Sequence, residues 1–199
     1  LFLGFGALFP CLVELSIVGT SEIPSVAPVV DFVKSLPRNL TSLGLGPLNL
    51  DEDILQHMPP ALTSLFWRGS VVEGASFNAA PESFRSSLKS FRLSSVLSSS
   101  AALVGLLASL PSQCKDFTFS EARWSDDWAL AIPESVENLE LDIENTQLTF
   151  RSLTCLPRAL KSVTLGPNCI SNQYYAPILV ENLIQCCPTL QSLVWRNAN

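Results

Sequence analysis

Catalytic and metal sites draw on a short menu of side chains, and this sequence offers them sparsely: one histidine, His57, six cysteines and a few close-set carboxylates. The cysteines, Cys11, Cys114, Cys155, Cys169, Cys186 and Cys187, are scattered apart from one adjacent pair, and none stands in the C-x-x-C or Cys/His spacing that folds around zinc. They read as reduced, mostly buried thiols. Asp51, Glu52 and Asp53, like Asp126 and Asp127, stand at predicted helix starts, where a carboxylate favours the positive end of the helix dipole rather than a metal. "SLGLGPLNL" and "TLGPN" contain glycines but no phosphate loop with a following lysine. His57 falls in a predicted surface helix, with no serine or cysteine that the chain's periodicity brings beneath it as a nucleophile. These residues predict no cofactor, no metal ion and no catalysis. The expectation is a protein that works by binding.

A chain of 199 residues, 47% hydrophobic and 15% charged, can bury a large core without metals or disulfides. Its net charge of -6, from 12 Lys and Arg against 18 Asp and Glu, opposes nucleic acid and anionic lipid, so a protein or peptide ligand is expected instead. The most apolar stretch, Leu1 to Val18, carries Pro10 and Glu14 and falls short of the roughly 20 apolar residues of a membrane helix. No basic residue precedes it, as one would in a signal peptide. A cytoplasmic location with free thiols is the leading expectation. A secreted location is the alternative, kept open by the sequon Asn39-Leu40-Thr41.

The elements that position these residues come from a repeat. One six-residue template occurs eight times, as "LVELSI" (Leu12 to Ile17), "LTSLGL" (Leu40 to Leu45), "LTSLFW" (Leu62 to Trp67), "LKSFRL" (Leu88 to Leu93), "CKDFTF" (Cys114 to Phe119), "VENLEL" (Val136 to Leu141), "LKSVTL" (Leu160 to Leu165) and "LQSLVW" (Leu190 to Trp195). Successive copies start 28, 22, 26, 26, 22, 24 and 30 residues apart. Positions one, four and six are Leu, Ile, Val, Phe or Trp in every copy except at Cys114, itself a small buried type. Apolar residues two apart face one side of a strand.

A motif that recurs in register over nearly the whole chain is identified as a leucine-rich repeat. Its "LPxxLxSLxL" form is similar to the Leu-Pro-led repeats of many eukaryotic microbes, and "LIQCCPTLQSLVW" resembles the cysteine-containing repeats attached to F-box ubiquitin-ligase adaptors. The resemblance implies an α/β solenoid over residues 1 to 199. About eight parallel strands would line its concave face, with helical or irregular returns on the convex side. One departure stands out, because the family's Asn ladder at position nine is nearly missing: the positions hold Thr20, Leu48, Ser70, Val96, Ala122, Glu144, Asn168 and Ala198. The turns there must satisfy their backbone groups in a less regular way. Since "LFLGFGALF" is apolar and Asn199 closely follows the last copy, the array is expected to be a segment of a longer solenoid lacking its caps, with self-association through the ends as a consequence.

The returns carry helix signals. Asp51 can cap "EDILQHM", Ser100 can open "AALVGLLASL", Ser125 precedes "DDWALA", and Ser171 precedes "NQYYAPILVENLIQC", where Pro177 kinks or delays the helix. "VAPVVDFVKSL" reads as helix, whereas Val71 to Ser83 reads as irregular. Each return ends near a proline: Pro10, Pro37, Pro59, Pro81, Pro111, Pro133, Pro157 or Pro188. Proline cannot donate to a ladder, so it marks the corner into the sheet. Trp67 and Trp195 fall at position six, in the core, while Trp124 and Trp128 fall in a return and are expected to cover the sheet edge or outer layer.

With positions one, four and six turned inward, the others form a groove about 35 Å long. Position three is mostly Ser (Glu14, Ser42, Ser64, Ser90, Asp116, Asn138, Ser162, Ser192), which leaves that groove open. The third to fifth copies place Arg68, Lys89, Arg92 and Lys115 around an outward Phe66, and the fifth and sixth place Asp116, Glu121, Glu137, Glu140 and Asp142 beside them. An aromatic ring among arginines has the composition of an interface anchor. The leading expectation is a non-enzymatic module that binds a protein or peptide, with Phe66, Arg68 and Arg92 meeting an acidic or aromatic element and Glu140 and Asp142 a basic one. A substrate-receptor part of a larger protein is one version of it, implied by the resemblance of the last repeat. An extracellular recognition receptor or secreted effector is the alternative.

Overall fold

The computed structural model describes residues 9–19, 27–94, 98–120, 125–142, 149–167, 169 and 176–196. All eight copies form strands of one parallel sheet in strict chain order. The strands are β1 (Glu14–Val18), β2 (Ser42–Gly46), β3 (Ser64–Arg68), β4 (Ser90–Ser94), β5 (Asp116–Ser120), β6 (Asn138–Asp142), β7 (Ser162–Leu165) and β8 (Ser192–Trp195). Each begins at position three of its copy, and position three pairs with position three from Glu14 and Ser42 through to Ser162 and Ser192. Just before each strand the position-two carbonyl binds the next copy twice. The Thr41 oxygen, for example, accepts from the amides of Thr63 at 2.8 Å and Ser64 at 3.0 Å. A slip of one residue would turn every inward Leu outward, so the hydrophobic period holds the register that these bonds close.

The chain returns through short helices: α1 (Ala27–Lys34), α2 (Glu52–Gln56), a 3-10 turn (Phe77–Ala79) followed by α3 (Glu82–Ser87), α4 (Ser100–Ala108), α5 (Asp126–Ala131), α6 (Phe150–Thr154) and α7 (Ala176–Cys186). Asp51 caps α2 by accepting from the Ile54 amide at 2.9 Å, and Ser125 caps α5. The cap of α4 is Ser99 rather than Ser100, one residue earlier than the sequence predicts. Pro177 is the second residue of α7, where a missing amide costs nothing, so it opens that helix instead of kinking it. Ser171 lies outside the described residues. At five corners the proline carbonyl at the start of the turn accepts from the first residue of the copy, as from Leu40 to Pro37 at 3.2 Å and from Cys114 to Pro111 at 2.9 Å. Pro81 departs from that pattern: it stands at the start of α3, and the corner is made by the Leu88 amide donating to the Phe84 carbonyl, so the helix runs straight into β4. The stretch read as irregular, Val71 to Ser83, contains the 3-10 turn and the first two residues of α3.

Between sheet and helices lies one continuous core. Leu43, Leu45, Leu65, Trp67, Phe91, Leu93, Phe117, Phe119, Leu139, Leu141, Val163 and Leu165, at positions four and six, are all buried. Its middle is aromatic. Phe77 packs edge-on against Phe91 at 5.2 Å between centroids, Phe91 stacks on Phe117 at 6.0 Å, and Phe119 meets Trp128 edge-on at 5.3 Å. Trp128 is therefore a core residue, not a cover for the edge: it is buried, and its indole N–H donates to Ser100 Oγ at 3.0 Å. Trp124 lies outside the described residues. At β1 the spine thins, since Leu12 and Leu15 are half-buried and Ile17 is exposed.

The absent Asn ladder is replaced piecemeal. The Trp67 indole donates to the Leu48 carbonyl at 2.9 Å, the Leu50 and Val71 backbones form one further parallel bridge, and the Cys169 thiol donates to the Leu141 carbonyl at 3.1 Å. Gly69 sits at φ 131 directly against the Leu48 backbone, where a Cβ would collide, so this turn requires glycine. Thr20, Val96, Ala122, Glu144, Asn168 and Ala198 lie outside the described residues.

Candidate functional site: the concave face

Parallel strands in unbroken register line up like positions into rows across the sheet. The position-five row runs Ser16, Gly44, Phe66, Arg92, Thr118, Glu140, Thr164 and Val194, each facing the next. The position-three row is the mostly Ser row read from the sequence. Position seven contributes less than expected at its centre, because Ser94 and Ser120 are buried there.

Phe66 does not stand free. Gly44 on the neighbouring strand has no side chain, the Phe66 ring leans towards that space so that a Cβ on Gly44 would lie 3.4 Å from Phe66 Cδ1, and the ring is half-buried. From the other side the Arg92 guanidinium lies over the ring, 5.2 Å from its centroid. The outward aromatic is thus a platform carrying a cation, and Arg92 itself is exposed. Lys89, at position two just before β4, is exposed, and Arg68, half-buried, has a contact of its own.

The acidic group is assembled differently. Glu137 lies between Lys115 Nζ at 3.6 Å and Lys161 Nζ at 2.5 Å, and the hydrogen bond from Lys161 is the main reason its carboxyl is held below the usual carboxylate range. Glu140 on β6 meets Arg196, just past β8, at 2.7 Å. Gly166 lies against Asp142, where a Cβ would run into the carboxylate. Asp116 accepts from Asn138 Nδ2 at 2.6 Å. Glu121 lies outside the described residues. The structure therefore brings Phe66 and Arg92 together, as the sequence predicts, but couples Lys115 to the acidic group and recruits two cations that the sequence reading left out, Lys161 and Arg196. The signal was present in the position-two row, where Lys115, Glu137 and Lys161 follow one another across adjacent strands.

The reactive residue types sit elsewhere. His57 caps the end of α2, with Nδ1 2.7 Å from the Asp53 carbonyl. Asp126 accepts from Thr149 and Ser152, chiefly from Ser152, which holds its carboxyl low and ties α5 to α6. All six cysteines are free, but fewer are buried than the sequence predicts: Cys114, Cys169 and Cys187 are buried, Cys155 and Cys186 half-buried, and Cys11 exposed. Burial pushes the Cys114 thiol up to about 12 and the Cys187 thiol up to about 11. Among the described residues there is no cluster of three or more His, Cys, Asp or Glu that could hold a metal, and no helix long and apolar enough to cross a membrane.

Eight parallel strands in chain order, apolar at positions four and six, with each return crossing the opposite side, define a leucine-rich-repeat solenoid of the α/β class. No family model matches the sequence and no curated protein matches it. Among solved structures, the leucine-rich repeat-containing protein LegL7 from Legionella pneumophila is similar with a TM-score of 0.48 and 16% identity, over 87% of this chain and 70% of that one.

Proposed function

We propose that this chain is a non-enzymatic binding module that holds a protein or peptide ligand on its concave face. The observation that supports the reading is the register: small Ser side chains and a few large charged or aromatic ones stand in unbroken rows across one open sheet face, while the returns fill the other side. Interaction is the usual work of such a solenoid, though a fold alone does not fix a function. Service as a substrate-receptor part of a larger protein rests on the sequence of the last repeat, and co-purification with a ubiquitin-ligase core would be its own test.

The concave reading is tested by affinity purification from the native cell. Phe66→Ala combined with Arg92→Glu should remove the captured partner while shifting the melting temperature little, and Arg38→Glu, at an exposed corner of the return side, should keep it. A partner retained by the concave variant would move the interface to another surface.

A further inference from the structure

Once side-chain contacts are counted, charge on the concave face is uneven. From Glu137 to β8, Asp142 has no cation within ion-pair distance among the described residues, but the other two of the three carboxylates are answered from within, Glu137 by Lys115 and Lys161 and Glu140 by Arg196. Asp116 on β5 is likewise held by Asn138. At β4 and the residue before it the reverse holds, since neither Lys89 nor Arg92 has a carboxylate within ion-pair distance among the described residues. Arg92 rests on Phe66 instead, a contact that uses the ring's negative face and none of the five guanidinium N–H donors. Those donors are left for a ligand, in a fork that matches a carboxylate, and Arg92 is exposed.

We propose that the ligand segment seated on this face is acidic and extended, with carboxylates meeting Arg92 and Lys89. The proposal rests on the concave-face reading and names the chemistry of its partner. Lys89 and Arg92 are three residues apart along the chain, about 10 Å at the rise of an extended strand, and carboxylates two or four residues apart on one face of an extended ligand, about 7 or 13 Å, bracket that distance. Phe66 is a positioning residue: wedged towards Gly44, it holds the guanidinium above the sheet. Asp142, farther along the face, repels an acidic overhang and so confines the segment to the β3–β4 side. The chain as a whole carries -6, which disfavours indiscriminate attraction of anions. Recognition must then be local, within the roughly 8 Å over which charges are felt at physiological salt.

Fluorescence anisotropy of the whole chain with a labelled peptide of about ten glutamates, roughly 33 Å when extended, tests this against a lysine peptide and a single-stranded oligonucleotide of similar span. The glutamate peptide should bind and the lysine peptide should not. Arg92→Glu with Lys89→Glu should weaken binding by about tenfold or more, and the milder Arg92→Gln with Lys89→Gln by a smaller factor, with circular dichroism unchanged in both. Phe66→Leu should weaken it although no ligand charge contact is removed, and Phe66→Tyr should restore it. Absent glutamate binding, binding indifferent to both β4 cations, or an oligonucleotide held as tightly as the peptide would each overturn the proposal. If the native partner is lost with the concave variant but the glutamate peptide never binds, the acidic inference falls and the concave-face reading stands. If the partner survives the concave variant, that broader reading falls whatever the peptide does.

Discussion

Over β3 to β5 the concave face carries Arg92 laid across Phe66, with Lys89 at the rim, above a core of Phe77, Phe84, Phe91, Phe117, Phe119 and Trp128. Over β6 to β8 it carries Glu137 and Glu140 gripped by Lys115, Lys161 and Arg196, above Leu139, Leu141, Val163 and Leu165. Backbone register is the same in both halves, so the contrast arises from what stands one or two strands away. Arg92 faces Phe66 and Thr118, neither of which can neutralise it. Glu140 faces Thr118 and Thr164, yet Arg196, just past β8 and two strands away, reaches it. In a solenoid, whether a charge is available is decided along the row, not along the chain.

The contrast in the core allows the sharpest test. Phe91→Ala removes a fully buried ring that touches both Phe77 and Phe117, and should cost about 3–5 kcal/mol of unfolding free energy. Leu165→Ala removes a smaller side chain beside β8, whose inward Leu193 and Trp195 are only half-buried, and should lie near the lower end of the 2–5 kcal/mol range for Leu→Ala. Urea denaturation of both variants measures the difference. Equal losses would mean that the aromatic middle is no better packed than the aliphatic end.

A smaller effect separates the charges. Breaking the partly exposed Glu140–Arg196 pair with Glu140→Gln should cost about 0.2–1 kcal/mol, whereas Arg92→Gln, which breaks no ion pair, should change stability less. Glu137 adds a pH dependence of known sign. Its carboxyl is held below the ordinary carboxylate range, chiefly by the Lys161 hydrogen bond. Its contribution is therefore complete above the unfolded carboxylate value and is lost as pH falls through the lower folded one. Following the Glu137 side-chain carboxyl by NMR should show it titrating below its range in the wild type and returning towards it in Lys161→Ala. No return would remove Lys161 as the cause.

Much of this was legible in the sequence because its signals are periodic. Positions one, four and six announce the strands, prolines three residues ahead of a copy announce five corners, and Asp51 and Ser125 announce caps. What escaped was contact between side chains of different copies and returns, which the period alone does not show. Trp128 sits in a six-residue helix, too short to show which face is apolar, so its burial against Phe119 could not be read. The pairs of Glu137 with Lys161 and Glu140 with Arg196 join residues on different copies, and only stacking the copies shows them. Phe66 was visible as an outward aromatic, but its lean towards Gly44 depends on a missing side chain next door.

Thiol labelling probes the comparison most gently, since it reports local opening without altering a residue. Cys114 leads into β5 under the aromatic middle, and Cys187 closes α7 beside β8, whose inward Leu193 and Trp195 are only half-buried. Both thiols are held protonated by burial, at about 12 and about 11, so neither reacts at neutral pH until its surroundings open. Half-buried surroundings open more readily than a fully buried core, because less apolar area must be exposed. Under native conditions with a thiol-reactive dye, Cys11 should label at once, Cys155 and Cys186 next, Cys169 and Cys187 slowly and Cys114 last, with all six reacting in denaturant. Cysteines that remain unreactive in denaturant without reductant would indicate disulfides and favour a secreted protein. Cys114 labelling ahead of Cys187 would mean that the aromatic half, not the ion-paired half, is the looser part of the sheet.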